Sequence, residues 1–587
     1  MKKLGIILCI FLLLFGCKKY KPSEEIKAVF DNYYEESLKL FPFSATYSGD
    51  NRYNDQFPID ISEAYREKIN AFYKKYIDEL KHFDRSKLDA NDQMSYDILK
   101  WDCEIGLEMF NFPDHLIPIN QMSGKHLDFP LLGSGSGSQP FVTEKDYENW
   151  LARMEIFPVW CDTAIAKMKE GIEKGWMLPK SLAIKISPQL KDIIVEDPTK
   201  SIFYGPITNL PTTFSDSVKK RITAEYIKAI QENISPSYKK LYDFMEQEYI
   251  PKAKEVTGIS NVPDGKKYYA LMARYYTTTT LSPDEIFAIG EKEVARIRKE
   301  MEVVKNQVGF QGDLKAFFKH ITDAPELHPH KKDEEVIQGF HKIHDKMQPF
   351  LKEQFDLVPK SKFEIRQTEA FREKSASAEY YQGTPDGSRP GIFYCPVLDP
   401  TQYNVFQDEA LFLHEAIPGH HYQISLQQED TTLPKFRRHL WYGAYGEGYA
   451  LYTESLGKEL GLYTDPYQYF GKLGMEMHRA IRLVVDVGMH YKGWTREQAI
   501  QYSLDNEADS KENITAEIER YMAWPGQALG YKIGQLKILE LKEKAKTTLG
   551  NKYQVKEFHN ELLQYGCLPI AVLEAKIHEW IKDSSEL

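Results

Sequence analysis

Cysteine is scarce in this sequence. There are six cysteines in 587 residues, and two of them, Cys9 and Cys17, lie close to the N-terminus. The other four are far apart and form no C-x-x-C pair: Cys103, Cys161, Cys395 and Cys567. This spacing excludes a cysteine zinc cage and a dense disulfide framework. A single disulfide is possible, but the sequence does not indicate which cysteines would form it.

Excess positive charge and long apolar segments are also missing. The chain carries 75 Lys and Arg against 86 Asp and Glu, which gives a formal net charge of −11. A nucleic-acid surface needs clustered basic residues, so we expect no nucleic-acid partner. Beyond residue 17 there is no uninterrupted apolar run long enough for a membrane-spanning helix. We therefore expect the rest of the chain to be soluble.

The first 17 residues have the pattern of a targeting segment. A pair of lysines precedes the apolar run Leu4–Phe15, which is too short to be a permanent membrane anchor. The run ends in the sequence LFGC, which is similar to a lipobox. We predict that residues 1–17 are a lipoprotein signal peptide and that Cys17 carries the lipid. The alternative is a plain signal peptide, which the following lysine pair and the lack of an A-x-A-like site disfavour. The lipid would attach the protein to a membrane of the cell envelope, on its periplasmic or surface side.

Most of the remaining chain has the periodicity of helices. Apolar side chains recur at helical spacing in residues 62–80, and Ser282-Pro-Asp-Glu285 is typical of a capped helix start. Strand-like residues occur in Phe363–Thr368 and Gly391–Val397. The length suits one large, two-lobed helical protein. We predict a mainly α fold with a central cleft and a small β-sheet. A single domain would span residues 18–587, with an N-terminal lobe to about residue 360 and a second lobe over about 361–587.

The strongest chemical signal lies in residues 411–423, which read LFLHEAIPGHHYQ. An apolar helical run leads into His414 and Glu415, and a buried His–Glu pair is costly unless a metal or a reaction uses it. In H-E-x-x-H zinc sites the second histidine follows one helical turn after the first. Pro418 stands at that position here, and it should distort the helix because it lacks the N–H that would bond the His414 carbonyl.

Two histidines are candidates for the second ligand. On an undistorted helix His421 shares a face with His414, but it lies roughly 10 Å away along the axis, too far for one zinc ion. A two-residue excursion before Gly419, which that glycine would permit, brings His420 into the required place. The sequence favours His420 and leaves His421 as the alternative. The alternative to a metal site is that these polar residues belong to an ordinary surface helix. The apolar run that precedes them argues against a surface location.

A second segment offers the third ligand. Residues 446–454 read GEGYALYTE, so that Glu447 and Glu454 are seven residues apart and share one face of a helix. Glu447 would bind the metal, and Glu454 would hydrogen-bond a ligating histidine or serve as the alternative ligand. An amphipathic helix with two exposed acids explains the same spacing, but the aromatic and aliphatic residues between them suggest burial.

These motifs resemble a known family. HEAIPGHHYQ and GEGYALYTE look like the bacterial family of domain of unknown function 885, whose members are mostly predicted lipoproteins. YYQGTPDGSRPGIFY (Tyr380–Tyr394) and RYMAWPGQALGYKIGQL (Arg520–Leu536) match it as well. Similar layouts occur in angiotensin-converting enzyme and thimet oligopeptidase, which are helical gluzincins with a deep cleft. The two extra residues before His420 depart from their motif.

The resemblance implies a zinc metallopeptidase that cleaves short peptides. His414, His420 and Glu447 would hold Zn²⁺, and Glu415 would act as general base. Because the related peptidases use a tyrosine from a late helix, Tyr521 and Tyr531 are candidates for stabilising the oxyanion. Packing of a C-terminal helix pair would explain both tyrosines equally well. Two other functions stay open: a zinc amidase acting on a non-peptide amide, and a non-catalytic lipoprotein that binds peptide or metal.

Substrate contacts are expected from the segment before the metal helix. A short sheet would place Gly391–Tyr394 beside that helix, and an exposed strand edge there could pair with an extended peptide. A purely structural hairpin is the alternative. Arg389, on a Gly/Pro-rich loop, could bind a peptide carboxylate through two hydrogen bonds. It could equally pair with Asp386 and shape the turn.

Overall fold

Helices form most of the chain in the computed structural model, which describes residues 22–370, 373, 376–384, 387 and 389–586. The first fifteen α-helices are α1 Pro22–Leu40, α2 Pro42–Tyr47, α3 Glu63–Leu80, α4 Ala90–Met109, α5 Lys125–Gly133, α6 Glu144–Lys174, α7 Lys180–Ile193, α8 Gly205–Thr208, α9 Asp216–Ala229, α10 Ser235–Phe244, α11 Ile250–Lys252, α12 Gly265–Thr277, α13 Pro283–Gln307, α14 Leu314–Asp323 and α15 Asp333–Gln354. After the strands follow α16 Asp408–Glu415, α17 His420–Glu429, α18 Gly443–Glu454, α19 Pro466–Val487, α20 Arg496–Asn506, α21 Lys511–Ala523, α22 Gly530–Leu549, α23 Val555–Leu563 and α24 Ile570–Glu586. The prediction of a mainly α fold is confirmed.

A three-stranded sheet separates α15 from α16. Its strands are β1 Phe363–Gln367, β2 Glu379–Tyr381 and β3 Gly391–Cys395, in the order β1-β3-β2. β3 runs parallel to β1 and antiparallel to β2. The two strands predicted from the sequence are both present, but the expected free edge at residues 391–394 is not. Strand β3 is central and fully buried, so β2 and β1 form the edges.

The helix starts are stabilised by side-chain caps. At α13 the Ser282 hydroxyl accepts a hydrogen bond from the Glu285 N–H, and the Glu285 carboxylate accepts one from the Ser282 N–H at 2.8 Å. This capping box satisfies backbone groups that a helix start otherwise leaves unpaired. Helix α13 then packs along α19, which is the long helix that borders the candidate site.

The buried apolar side chains form two large cores. One is built mainly by α5–α10, α13, α14, α19 and α21, and the other by α1, α3, α4, α15, the sheet, α16–α18 and α22–α24. Each core therefore draws on both sides of residue 360. Helix α19 contributes to both of them, because Met477 belongs to the first core and Met475 to the second. A large cavity runs along this shared helix.

The described helices and cysteines bear on the predictions of membrane segments and disulfides. Among the described residues, no helix combines the length and apolar character that crossing a membrane requires. The four cysteines of the described part, Cys103, Cys161, Cys395 and Cys567, are buried free thiols. Residues 1–21, including the predicted signal peptide and Cys17, lie outside the described residues.

Candidate metal centre

The helix that carries His414 is interrupted where the sequence predicts a distortion. Helix α16 ends at Glu415 and α17 begins at His420, and the Ile417–Pro418 peptide bond between them is cis. Gly419 lies so close to the end of α16 that a Cβ atom there would stand 2.0 Å from the His414 carbonyl oxygen. Only glycine fits this approach, which brings the start of α17 back beside His414.

Three side chains meet across this interruption. The nearest ligand atoms of His414, His420 and Glu447 all lie within 4.8 Å of one another. Glu447 Oε2 is 3.4 Å from His414 Nε2 and 3.6 Å from His420 Nε2. The two imidazole rings stand almost perpendicular, with 4.9 Å between their centroids. Both histidines are buried, and the Glu447 side chain is 18% exposed.

Glu454 supports His414 from the opposite side. Its Oε1 lies 2.7 Å from His414 Nδ1, and its side chain is fully buried. The Thr453 hydroxyl donates a hydrogen bond to the Leu413 carbonyl at 2.8 Å, which joins α18 to α16. The seven-residue spacing thus places both acids of α18 against the same histidine. A hydrogen bond at Nδ1 fixes the ring so that Nε2 faces Glu447.

His421 lies outside this cluster. Its Nδ1 is 3.0 Å from the Tyr380 hydroxyl on strand β2, and burial lowers the pKa of His421 to about 4. It therefore remains a neutral ring that joins α17 to the sheet. The structure places His420, and not His421, beside His414 and Glu447.

Glu415 is next to the cluster without belonging to it. Its Oε1 lies 4.0 Å from His414 Nε2, and its Oε2 accepts a hydrogen bond from the Tyr380 backbone N–H at 3.0 Å. This N–H is available because β2 is an edge strand. The bond orients the carboxylate, which lines the large cavity.

The three clustered side chains fit a zinc ion. Two imidazoles and one carboxylate are a known zinc donor set that leaves a coordination position free. Burial alone would lower the pKa of His414, but its contacts with Glu447 and Glu454 raise that pKa to about 9. Burial would likewise raise the pKa of Glu447, which the two histidines instead hold below its usual range. The neighbouring carboxylates thus stabilise positive charge on the His414 ring. His420 Nδ1 is buried and has no hydrogen-bond partner among the described residues.

The cluster opens on a cavity of about 880 Å³. Its wall includes Glu415, the strand residues Glu379 and Tyr380, and several side chains of α19 between residues 470 and 482. The Trp441 ring lies over His420, with 5.7 Å between centroids. A cavity of this size is in the range of small-ligand sites.

The two candidate tyrosines differ in position. Tyr531 lines the cavity, and its ring lies 4.5 Å from the Arg482 guanidinium carbon. Tyr521 is 2% exposed and lies outside the lining. Its hydroxyl donates to Glu517 Oε2 at 2.6 Å and accepts from Arg482 Nε at 2.9 Å. The hydroxyl of Tyr521 therefore already has two hydrogen-bond partners within the protein, whereas Tyr531 lines the cavity into which the cluster opens.

The two expected substrate contacts lie elsewhere. Tyr394 is on the central strand β3, outside the cavity lining, because β2 stands between it and the site. Arg389 lines a neighbouring recess, where it donates to the Gln382 carbonyl at 3.0 Å and stacks on Tyr381. Asp386, its other expected partner, lies outside the described residues.

Sequence reasoning did not find the role of Tyr380. Its backbone N–H holds Glu415 and its hydroxyl contacts His421, so it connects the sheet to both helices. The three-residue strand β2 was hidden in a Gly/Pro-rich segment, because so short a strand has no detectable alternation. Trp441 was also missed, because the turn residues around it offered no signal of a contact with His420.

Fold and site together define a helical protein with a His–His–Glu cluster on the wall of a large cavity. The chain belongs to the family described as bacterial protein of unknown function (DUF885), whose model matches residues 42–577. It is similar to the crystal structure of a candidate lipoprotein from Colwellia psychrerythraea, with 28% identity, a TM-score of 0.87 and coverage of 96% of this chain and 100% of that one. A candidate lipoprotein of unknown function from Shewanella oneidensis shares the fold, with 21% identity, a TM-score of 0.74 and coverage of 94% and 99%. No curated protein matches the sequence.

Proposed function

We propose that this protein is a zinc-dependent metallopeptidase that cleaves short peptides in the cell envelope. The observation that carries the proposal is the meeting of His414, His420 and Glu447 on the wall of the cavity that Glu415 also lines. A buried cluster of two histidines and a carboxylate is costly without a cation, and its position beside a second, cavity-facing carboxylate suits hydrolysis. The same reaction class is what the resemblance of both sequence motifs to helical gluzincins implies.

The residues have distinct roles in this proposal. Zn²⁺ held by the cluster would supply a Lewis acid that polarises the scissile carbonyl and activates water. Glu415 takes a proton from the attacking water and delivers it to the leaving amine. The Tyr380 N–H orients the Glu415 carboxylate for this task. The Tyr531 hydroxyl donates a hydrogen bond to the oxyanion that develops on the substrate.

The cavity and the N-terminus suggest the substrate class and location. A space of about 880 Å³ admits a few amino-acid residues and excludes a folded protein. Lipid on Cys17 would hold the enzyme at a bacterial membrane, in agreement with the candidate lipoproteins of similar structure. Peptides present in the envelope would then be its substrates.

The proposal is tested by measuring hydrolysis of a peptide panel with and without a chelator. The purified protein should cleave short peptides, lose this activity on chelation and regain it when zinc is added. Glu415→Gln should fold and bind zinc but lose turnover by at least the 10²–10⁴-fold that general-base catalysis typically supplies. Peptide cleavage that survives both chelation and Glu415→Gln would contradict the proposal. Cleavage of non-peptide amides alone would point to an amidase, and zinc binding without any hydrolysis would point to a binding protein.

A further inference from the structure

One cation on the cavity wall has no carboxylate partner in the described part of the chain. Arg479, on α19, lines the same cavity as the metal cluster. Its Nη1 donates to the Met475 carbonyl at 3.2 Å, and its Nε is buried without a hydrogen-bond partner in the described part of the chain. Among the described residues no carboxylate oxygen lies within 4.0 Å of its guanidinium nitrogens. A partly buried guanidinium without a counter-ion is unusual, because desolvating a charge costs free energy that a partner normally offsets.

The neighbouring acids are already used by other cations. Glu517 accepts from Arg482 at 3.1 Å and from Arg520 at 2.8 Å. Glu507 lies 2.6 Å from His478. Burial would raise the pKa of Glu517, but its contacts with His478, Arg520 and Arg482 hold that pKa below its usual range. The carboxylates of this wall therefore cannot neutralise Arg479 without giving up the partners they have.

A third acid on the wall, Asp509, is also engaged. It accepts hydrogen bonds from Asn513 Nδ2 at 3.0 Å and from the Ser510 N–H at 2.7 Å. Arg482 lies one helical turn from Arg479, so the two guanidinium groups project from the same side of α19. Nη1 of Arg482 is buried and also has no partner among the described residues. The cavity wall thus carries arginine N–H groups that have no acceptor among the described residues.

We propose that Arg479 binds a free carboxylate of the substrate. The inference rests on the proposed peptidase function and adds the feature by which a peptide is recognised. A guanidinium binds a carboxylate through two parallel hydrogen bonds, and such charge-assisted pairs are strong in a cavity with restricted water. The carboxylate can be the C-terminus of a peptide or an acidic side chain. A doubly charged phosphate is a poorer fit, because Glu415, Glu447 and Glu517 line the same space.

The test compares four peptides of one sequence that combine a free or amidated C-terminus with an internal Glu or Gln. Wild-type protein should prefer one free carboxylate over its neutral counterpart, and the preferred position identifies its source. Arg479→Gln should raise KM for that peptide about 10- to 100-fold and leave KM for the neutral peptide unchanged. Arg479→Lys, which keeps the charge without the planar fork, should fall between them. Arg298→Gln is the matched control, because Arg298 is an exposed arginine of α13 outside the cavity lining.

The outcomes separate the two proposals. If wild-type protein cleaves peptides but Arg479→Gln changes KM equally for charged and neutral peptides, Arg479 only shapes the wall and the carboxylate proposal is wrong. If wild-type protein cleaves none of the four, equilibrium binding of the same peptides to wild-type and Arg479→Gln protein replaces KM as the measurement. A selective loss of affinity for the free carboxylate would then support the subsite although the peptidase function had failed. Equal affinities would overturn it.

Discussion

Replacing Glu454 by Gln tests whether the carboxylate that contacts His414 raises the affinity of the cluster for metal. Glu454 is fully buried, and its Oε1 lies 2.7 Å from His414 Nδ1. Its other oxygen has no hydrogen-bond partner among the described residues. The amide oxygen of Gln can still accept from the ring N–H, so the geometry of His414 should persist. What changes is the negative charge that raises the basicity of the ring.

The expected loss follows from this geometry. Removing the partner of a ligating histidine typically lowers metal affinity 10- to 100-fold, which corresponds to about 1.4–2.7 kcal/mol. Glu454→Gln should lie near the lower limit because it keeps an acceptor at Nδ1. Glu454→Ala should lie near the upper limit, because it also leaves the ring N–H unpaired in a buried position.

A competition titration against a chromophoric zinc chelator measures these affinities. Glu409→Gln is a matched control. Glu409 is a buried acid of α16, the helix that carries His414, but it pairs with Lys346 and the Tyr463 N–H and contacts no cluster residue. This variant should lose stability in thermal unfolding and keep its zinc affinity. If Glu454→Gln and Glu454→Ala both bind zinc as the wild type does, Glu454 does not tune the site and the reasoning is refuted.

Three further predictions follow from the same geometry. His420→Ala should remove most of the bound zinc in elemental analysis, whereas His421→Ala should keep it and lower the unfolding temperature; the reverse result would exchange their roles. Tyr531→Phe should lower kcat by about 10²-fold or more with little change in zinc content, while Tyr521→Phe should mainly cost stability, and equal effects on kcat would contradict this distinction. Gly419→Ala should lose zinc affinity, because the added Cβ would stand 2.0 Å from a backbone oxygen that cannot move independently; normal zinc binding by this variant would show that the helix interruption tolerates a side chain.

The preference for His420 over His421 could be derived from local information, whereas the packing of Glu447 against the two histidines was implied by the family resemblance. Pro418 forces a break in the helix, and Gly419 permits the return, so the position of His420 follows from backbone chemistry within six residues. The spacing of Glu447 and Glu454 places both on one helix face, and the apolar residues around them indicate burial. The capping box at the start of α13 was predictable for the same reason.

Contacts between distant segments could not be predicted in this way. The hydrogen bond from the Tyr380 N–H to Glu415 depends on the strand order, which places β2 rather than β3 at the edge facing the site. The positions of Tyr394 and Tyr531 depend on how whole helices and strands pack. The residues next to them in the sequence do not indicate whether either tyrosine lines the cavity. Tertiary packing likewise determines that no carboxylate among the described residues pairs with Arg479.

Metal analysis of the purified protein is the most direct test of the proposed centre. Elemental analysis of wild-type protein should find about one zinc per chain, and Glu447→Gln should lose most of it while keeping its helical content by circular dichroism. This variant removes the charge that faces both histidines, at 3.4 Å and 3.6 Å, with almost no change in shape. A wild-type protein that binds no zinc, or a Glu447→Gln variant that binds as much as the wild type, would contradict a metal centre built from His414, His420 and Glu447.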